Sequence, residues 1–209
     1  MTIKVCGLRT ADEIQDTLEA GADLVGLVHH EPSPRHLTWD AIGTLLTSTG
    51  CGERAVVVTV DPDPAHLAER CRELGIGAVQ LCGDEDPAAF QDFPARVLRR
   101  VGVDERGAAE LEAWSGIASA FVLDHPSAAG GTGRAVDPAL ARDLCARARC
   151  LLAGGLAPDS VAGAVRAAGA AGVDASSGLE RAPGQKDMDL VRAFVDAARG
   201  ALMGMEADA

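Results

Sequence analysis

Two side chains that can exchange protons near neutral pH stand at the ends of apolar runs. Cys6 ends the run 3–6, and Asp124 ends the run 120–124. A thiol with an ordinary pKa of about 8.5 becomes a base when a local positive potential lowers that pKa, and a partly desolvated carboxyl can act as an acid. Taken singly, Cys6 could be a small buried hydrophobe and Asp124 a helix cap. Together they are candidates for a base and acid pair.

Three glycine-rich segments follow the last three apolar runs of the chain. Such turns expose backbone N–H groups that can converge on a phosphate, with support from a helix N-terminus. One glycine pair alone is ordinary turn punctuation, but three in succession predict a phosphate site. These segments contain Gly131, Thr132, Gly133, Gly154, Gly155, Ser176, Ser177 and Gly178.

Arg35 follows the stiff Ser33-Pro34 turn, which limits where its guanidinium can reach. The planar fork of an arginine suits a carboxylate, so Arg35 is a candidate carboxylate-binding residue. The alternative is a surface arginine that pairs with one of the 31 acidic residues. Four more residues near run ends could line the same pocket: His29, Gln80, Cys82 and Asp174.

The elements that must position these residues are short β-rich runs that alternate with helical patterns. Eight runs predict strands at 3–6, 24–28, 55–60, 78–81, 96–101, 120–124, 150–155 and 172–176. Apolar residues at helical spacing occupy 10–20, 64–74 and 188–199, and Thr10 with Glu13 has capping-box spacing.

Eight such units in about 200 residues predict an α/β fold, a (β/α)8 TIM barrel that forms a single domain over residues 1–209. A doubly wound sheet is the alternative. Three arginines interrupt the fifth strand, and the fourth and fifth helices are expected to be short. In a barrel the carboxyl ends of all strands surround one site, so the residues above would meet there.

Charge and composition limit the partners. The net charge is −12, the pI is about 4.7, and no stretch is rich in lysine and arginine, so neither nucleic acid nor an anionic membrane surface is expected. No segment has the apolar length of a membrane span, and the first ten residues lack the apolar run of a signal peptide. We therefore expect a cytoplasmic location.

The six cysteines have irregular spacing, with no Cys-x-x-Cys pair, and are expected to be reduced thiols. His29, His30 and His36 lie close in sequence to one another, but neighbouring residues at a strand end point to opposite sides. No cysteine or histidine spacing matches a metal site, so no metal is expected.

An ordered set of short motifs runs from the first strand to the last helix. It consists of Lys4-Val-Cys-Gly-Leu8, Ser33-Pro-Arg35, Val79-Gln-Leu-Cys-Gly-Asp-Glu85, Leu123-Asp124, Gly130-Gly-Thr-Gly133, Leu152-Ala-Gly-Gly-Leu156, Gly172-Val-Asp-Ala-Ser-Ser-Gly-Leu-Glu180, Pro183-Gly184 and Lys186-Asp187. Any one of these motifs is weak evidence, but the ordered set closely resembles the phosphoribosylanthranilate isomerase family of tryptophan biosynthesis.

The resemblance implies a (β/α)8 barrel that performs an Amadori rearrangement of an N-aryl aminoaldose phosphate with no metal or organic cofactor. It implies that Cys6 is the general base, Asp124 the general acid, and Arg35 the residue that holds the anthranilate carboxylate. The glycine-rich segments would bind the phosphate. The implied partner is a small sugar phosphate, and the family includes both monomers and homodimers.

Three departures from the family pattern leave alternatives open. His29-His30-Glu31 replaces residues that are usually aromatic or apolar, Cys82 replaces a histidine, and Arg134 replaces a lysine. These changes would also fit a specialised relative that acts on a different amino-sugar phosphate, or a non-catalytic barrel that binds a sugar phosphate. The related histidine-pathway isomerase typically has aspartates at two strand ends, and Cys6 disfavours it.

Overall fold

A closed barrel of eight parallel strands forms the centre of the molecule in the computed structural model, which describes residues 1–126 and 135–207. The strands are β1 (Thr2–Cys6), β2 (Leu24–Val28), β3 (Ala55–Thr59), β4 (Ala78–Leu81), β5 (Arg96–Gly102), β6 (Ala118–Asp124), β7 (Cys150–Leu152) and β8 (Gly172–Ala175). They follow one another in sequence order, and β8 closes the ring against β1, with Thr2 beside Gly172. This closure confirms the predicted TIM barrel and excludes the doubly wound sheet.

Seven α-helices surround the barrel within the described residues. They are α1 (Ala11–Glu19), α2 (Trp39–Thr49), α3 (Pro64–Leu74), α4 (Gly107–Ala113), α5 (Pro138–Cys145), α6 (Val161–Ala168) and α7 (Met188–Ala207). A single 3-10 turn, Pro87–Phe90, takes the place of a helix between β4 and β5, and the next helix has seven residues. Of the two short helices expected there, the structure has a 3-10 turn in place of the first and a short α-helix as the second. In the described part of the chain, no helix is both long enough and apolar enough to cross a membrane.

Local signals set several helix ends. The Thr10 hydroxyl accepts a hydrogen bond from the Glu13 backbone N–H, and the Glu13 carboxylate accepts one from the Thr10 N–H, as the capping-box spacing predicts. Asp63 caps α3, which ends at Gly75 in a left-handed conformation, with φ of +63°. A short hairpin, β9 (Glu180–Ala182) with β10 (Gln185–Lys186), lies between β8 and α7.

The strands bury apolar residues on both faces. Large aliphatic and aromatic side chains fill the space between barrel and helices, while a separate cluster fills the barrel interior. The inner cluster is Leu24, Val56, Ala78, Leu98, Ala120, Val122, Leu151 and Ala153. Above it, toward the carboxyl ends of the strands, Val28 and Val58 pack with Cys6 and Cys82. Alternate residues of a strand face inward. The inward-facing positions that follow this upper cluster, toward the carboxyl ends of the strands, therefore form the mouth of the barrel.

The arginines of β5 are accommodated in three different ways. Arg96 is exposed and donates to the Gly77 and Glu53 carbonyls. Arg99 is buried outside the barrel, where it pairs with Glu85 and Glu110 and lies 4.9 Å from the centre of the Trp114 ring. Arg100 faces inward and lines the mouth. An arginine-rich strand can therefore be buried here because its charges are paired or face the cavity.

Candidate active site

One cavity at the carboxyl ends of the strands collects residues from all eight strands or the loops that follow them. Of the residues predicted from the sequence, Cys6, Asp124, Arg35, Gly154, Gly155, Ser176, Ser177, Gly178, Gln80, Cys82 and Asp174 line this cavity. Gly131, Thr132 and Gly133 fall outside the described residues. The base and acid candidates therefore share one cavity with the carboxylate-binding candidate.

Cys6 is the last residue of β1, and its side chain packs against Gly26 of β2. A Cβ at Gly26 would lie 2.6 Å from Cys6 Sγ, so only glycine leaves room for the thiol in this position. Burial raises the pKa of the thiol, the ammonium groups of Lys4 and Lys186 lower it, and the Asp174 carboxylate raises it. The expected lowering of the thiol pKa by a local positive potential is wrong as a net effect, because burial outweighs the two ammonium groups.

Lys4 and Asp174 form a buried ion pair inside the barrel, with 2.8 Å between Lys4 Nζ and Asp174 Oδ2. Burial opposes the charge of the ammonium, but Asp174 and Cys6 outweigh it and raise the pKa of Lys4. Within the described part of the chain, Asp174 Oδ1 has no hydrogen-bond partner. Lys4 was not among the candidates from the sequence, although its position two residues before Cys6 puts both side chains on the inner face of β1.

Asp124 ends β6 at the mouth of the barrel. Its Oδ1 accepts a hydrogen bond of 2.8 Å from the His125 backbone N–H, and its Oδ2 lies 4.0 Å from Arg100 Nε. The next described helix, α5, has Asp137 as its cap. Asp124 is therefore not the cap of α5, and its carboxyl faces the cavity.

Arg35 pairs with Glu180 through two parallel hydrogen bonds, each 2.7 Å long. The side chains of Arg35 and Glu180 are 11% and 4% exposed, so Arg35 is not a surface arginine, although it pairs with an acidic residue as the alternative predicted. The Arg35 side chain runs across Gly7, whose φ of +79° and lack of a Cβ leave space for it. The guanidinium is thus fixed in orientation at the edge of the cavity.

The glycine-rich loops after β7 and β8 touch each other. Gly178 packs so closely against the Leu156 carbonyl that a Cβ would collide with it, and Gly154 and Gly155 both have positive φ, at +83° and +65°. A 3-10 turn begins at Ser177, directly at the cavity. Glycine-rich turns of this kind are the local structure that the phosphate hypothesis requires.

The prediction that His29 lines this cavity is wrong. Val28 faces the barrel interior, so the alternation along the strand turns His29 outward and returns His30 to the cavity. The His29 ring contacts the Leu37 carbonyl through Nδ1 at 2.9 Å and lies 4.3 Å from the Trp39 ring.

Cys82 lines the cavity, and its sulfur accepts a hydrogen bond from Gln80 Nε2 at 3.4 Å. Burial raises the pKa of Cys82 to about 12, although the Gln80 contact acts in the opposite direction. Cys82 is therefore a protonated thiol near neutral pH.

Comparison with known proteins supports the same fold. The sequence model described as N-(5'-phosphoribosyl)anthranilate isomerase matches residues 3–197. The enzyme of that name from Rhodopseudomonas palustris strain BisB5 is 37% identical over 209 aligned residues, which cover 95% of this chain and 96% of the relative.

Two solved structures show how far the similarity extends. A structure of monomers generated from the dimeric phosphoribosylanthranilate isomerase of Thermotoga maritima is 26% identical with a TM-score of 0.84, covering 96% of this chain and 99% of the other. A phosphoribosyl anthranilate isomerase in complex with reduced 1-(o-carboxyphenylamino)-1-deoxyribulose 5-phosphate is 27% identical with a TM-score of 0.82 and the same coverage. The family match spans nearly the whole chain, and this chain belongs to the N-(5'-phosphoribosyl)anthranilate isomerase family.

Proposed function

We propose that Cys6 and Asp124 are the base and acid with which this chain performs the isomerisation of its family. The chain is an isomerase of tryptophan biosynthesis, and its reaction is the Amadori rearrangement of N-(5-phosphoribosyl)anthranilate to 1-(2-carboxyphenylamino)-1-deoxyribulose 5-phosphate. The observation that carries the residue assignment is the shared cavity, which has Cys6, Asp124 and Arg35 in its lining.

Protonated Asp124 opens the furanose ring by giving its proton to the ring oxygen, which leaves a Schiff base between C1′ and the anthranilate nitrogen. The Cys6 thiolate then removes the proton from C2′, and the electron pair moves toward the cationic nitrogen. The resulting enolamine tautomerises to the ketone. One proton leaves the acid and one reaches the base, and exchange with solvent returns both groups to their starting states.

Arg35 binds the anthranilate carboxylate in this proposal. Glu180 already occupies one edge of the guanidinium through Nε and one terminal nitrogen, so the other terminal nitrogen remains for the substrate. Since Arg35 lies at the cavity edge, the aryl group would enter with its carboxylate directed toward the loop 30–35.

The loops after β7 and β8 bind the phosphate, with Gly154, Gly155, Ser176, Ser177 and Gly178 as the described members. Binding energy from the phosphate, which does not react, can hold the sugar in the geometry that proton transfer requires. Gly131, Thr132 and Gly133 complete the predicted set. The dimeric Thermotoga relative makes a homodimer the assembly to examine first.

A fluorescence assay that follows the loss of phosphoribosylanthranilate tests the assignment. Cys6→Ser and Asp124→Asn should each lower kcat by at least about 100-fold, the scale of a lost acid or base. Two controls lie outside the cavity: Cys71→Ala, a thiol of α3, and Asp137→Asn, which keeps a good cap on α5. Rates near those of the unmodified protein in both test variants would refute the assignment.

The same assay separates the alternatives. If the chain were a non-catalytic barrel, calorimetry would show that it binds the substrate. The fluorescence assay would then show no product, even with the unmodified protein. A specialised relative would turn over a different amino-sugar phosphate with higher kcat/KM than phosphoribosylanthranilate.

A further inference from the structure

Lys186 has a buried ammonium group that the mechanism above does not use. The chain has only two lysines, Lys4 and Lys186, and both side chains have 0% exposure. Lys186 lies in β10, and its Nζ is 2.7 Å from Glu180 Oε1 and 3.0 Å from the Ser176 carbonyl oxygen. Burial of an ammonium is costly unless acceptors surround it, so these contacts explain why the charge can stay there.

Each of the two partners of Lys186 is hydrogen-bonded to a residue of the proposed mechanism. Glu180 accepts both hydrogen bonds from Arg35, and the Ser176 hydroxyl donates to the Cys6 carbonyl oxygen at 3.0 Å. Lys186 Nζ also lies 3.4 Å from that hydroxyl. Lys186 itself does not line the cavity, so it does not touch a substrate there and acts through these neighbours and through its charge.

The charges of this group explain why a second cation is needed. Arg35 and Glu180 alone sum to zero, and a neutralised guanidinium attracts a carboxylate poorly. With Lys186 the buried group carries a net charge of +1, although the whole chain has a net charge of −12. The excess positive charge lies where the proposed substrate carboxylate binds, and desolvation increases its effect.

We propose that Lys186 is a positioning residue of the isomerisation: by binding Glu180 it leaves Arg35 with a net positive charge toward the substrate carboxylate, and by binding Ser176 it holds the loop beside Cys6. This inference depends on the roles proposed above for Arg35 and Cys6. Glu180 orients the guanidinium, and Lys186 offsets the negative charge that this orientation requires.

The test compares KM for phosphoribosylanthranilate among charge variants of this group. Lys186→Met should raise KM about 10- to 100-fold with a smaller change in kcat, because a ground-state attraction is lost. Lys186→Gln keeps hydrogen-bonding atoms but removes the charge, so it should raise KM by a similar factor. It replaces Lys186→Met in the test if the methionine variant does not fold. Arg192→Met removes an exposed cation of α7 and should leave KM unchanged.

The decisive variant is Glu180→Gln combined with Lys186→Met. Removal of both charges restores the net charge of +1 on Arg35, so KM should return to within about fivefold of the unmodified protein. A purely structural role for Lys186 predicts the opposite, since two lost contacts would disturb the site more than one. A double variant with KM equal to or above that of Lys186→Met would overturn the proposal.

Arg35→Met separates this inference from the function on which it rests. If Arg35→Met raises KM but neither Lys186 variant does, the positioning role of Lys186 is wrong and the carboxylate site stands. If Arg35→Met leaves KM unchanged, the assignment of Arg35 as the carboxylate site is wrong, and the inference about Lys186 is overturned with it.

Discussion

Lys4 and Asp174 form an ion pair, with 2.8 Å between Lys4 Nζ and Asp174 Oδ2. Lys4 lies two residues before Cys6 in β1, so both side chains are on the inner face of the barrel. Lys4 lowers the pKa of the Cys6 thiol, while burial and Asp174 raise it. Both members of the ion pair therefore influence, in opposite directions, how much thiolate is present at a given pH. The pairing also keeps either partner from being a lone buried charge.

Replacement of Lys4 by methionine should raise the pKa of Cys6 further, because the main opposing charge is lost. The thiolate fraction at pH 7 then falls, and the rise of kcat/KM with pH moves to higher pH. The rate of alkylation of Cys6 by iodoacetamide, followed in its own peptide between pH 6 and pH 10, should shift in the same direction. Because Asp174 raises the thiol pKa, Lys4→Met with Asp174→Asn should reverse part of the shift. An alkylation profile that does not move in Lys4→Met would contradict this reading.

Gly26→Ala should remove activity by displacing Cys6. The new Cβ would lie 2.6 Å from Cys6 Sγ and 2.9 Å from Cys6 Cα, and a backbone atom cannot move aside as a side chain can. We expect a loss of stability of about 1–3 kcal/mol and a fall in kcat of at least about 10-fold.

The matched control is Gly163→Ala on α6, where nothing lies within 4 Å of the added Cβ. That variant should be stabilised by about 0.5–1 kcal/mol in urea unfolding and keep its activity. Equal kcat in the two alanine variants would mean that Cys6 does not need this position.

Cys82→Ala should leave the pH dependence of kcat/KM unchanged. Burial raises the pKa of Cys82 to about 12, so its thiol stays protonated over the working range. The loss of its contact with Gln80 should change kcat by less than about fivefold. Cys6→Ser, measured beside it, should abolish the rise of kcat/KM with pH, because that rise reports ionisation of the base. Loss of this rise in Cys82→Ala would instead identify Cys82 as a second base.

Elements set by local patterns were well predicted from the sequence. The short apolar runs of the strands and the spacing of Thr10 and Glu13 act over a few residues, so they specify the barrel and the first helix start directly. The positions of Cys6 and Asp124 follow from the predicted strand ends, since each is the last residue of its strand and lines the cavity.

Features that depend on distant pairing or on burial were not predictable. Arg35 and Glu180 are 145 residues apart, and no local pattern indicates that they meet. The net direction of the Cys6 pKa depends on how completely folding removes water from the thiol, which spacing does not encode. Side chains alternate between the two faces of a strand, so an error of one residue at its end reverses the predicted face. For this reason His29 was assigned to the cavity, although its ring lies outside the barrel.

Glu180 should make stability depend on pH in the acid range. Burial alone would raise its pKa, but hydrogen bonds from Arg35 and Lys186 lower it from 4.5 to about 2. A carboxylate with a depressed pKa in the folded state stabilises the fold fully above its unfolded value and loses that contribution as pH falls toward the folded value. The contribution at neutral pH is about 3 kcal/mol at most, and it should disappear between about pH 4.5 and pH 2.

Urea unfolding at a series of pH values from 6 down to about 3 measures this contribution. Above pH 5 the Glu180→Gln variant should be less stable than the unmodified protein, and the difference should shrink as pH falls, since protonation of Glu180 makes the two proteins alike. Glu69→Gln removes an exposed carboxylate of α3 and should give a small difference that does not depend on pH in this way. A difference for Glu180→Gln that stayed constant from pH 6 to pH 3 would mean that the stabilising effect of Glu180 does not depend on its charge.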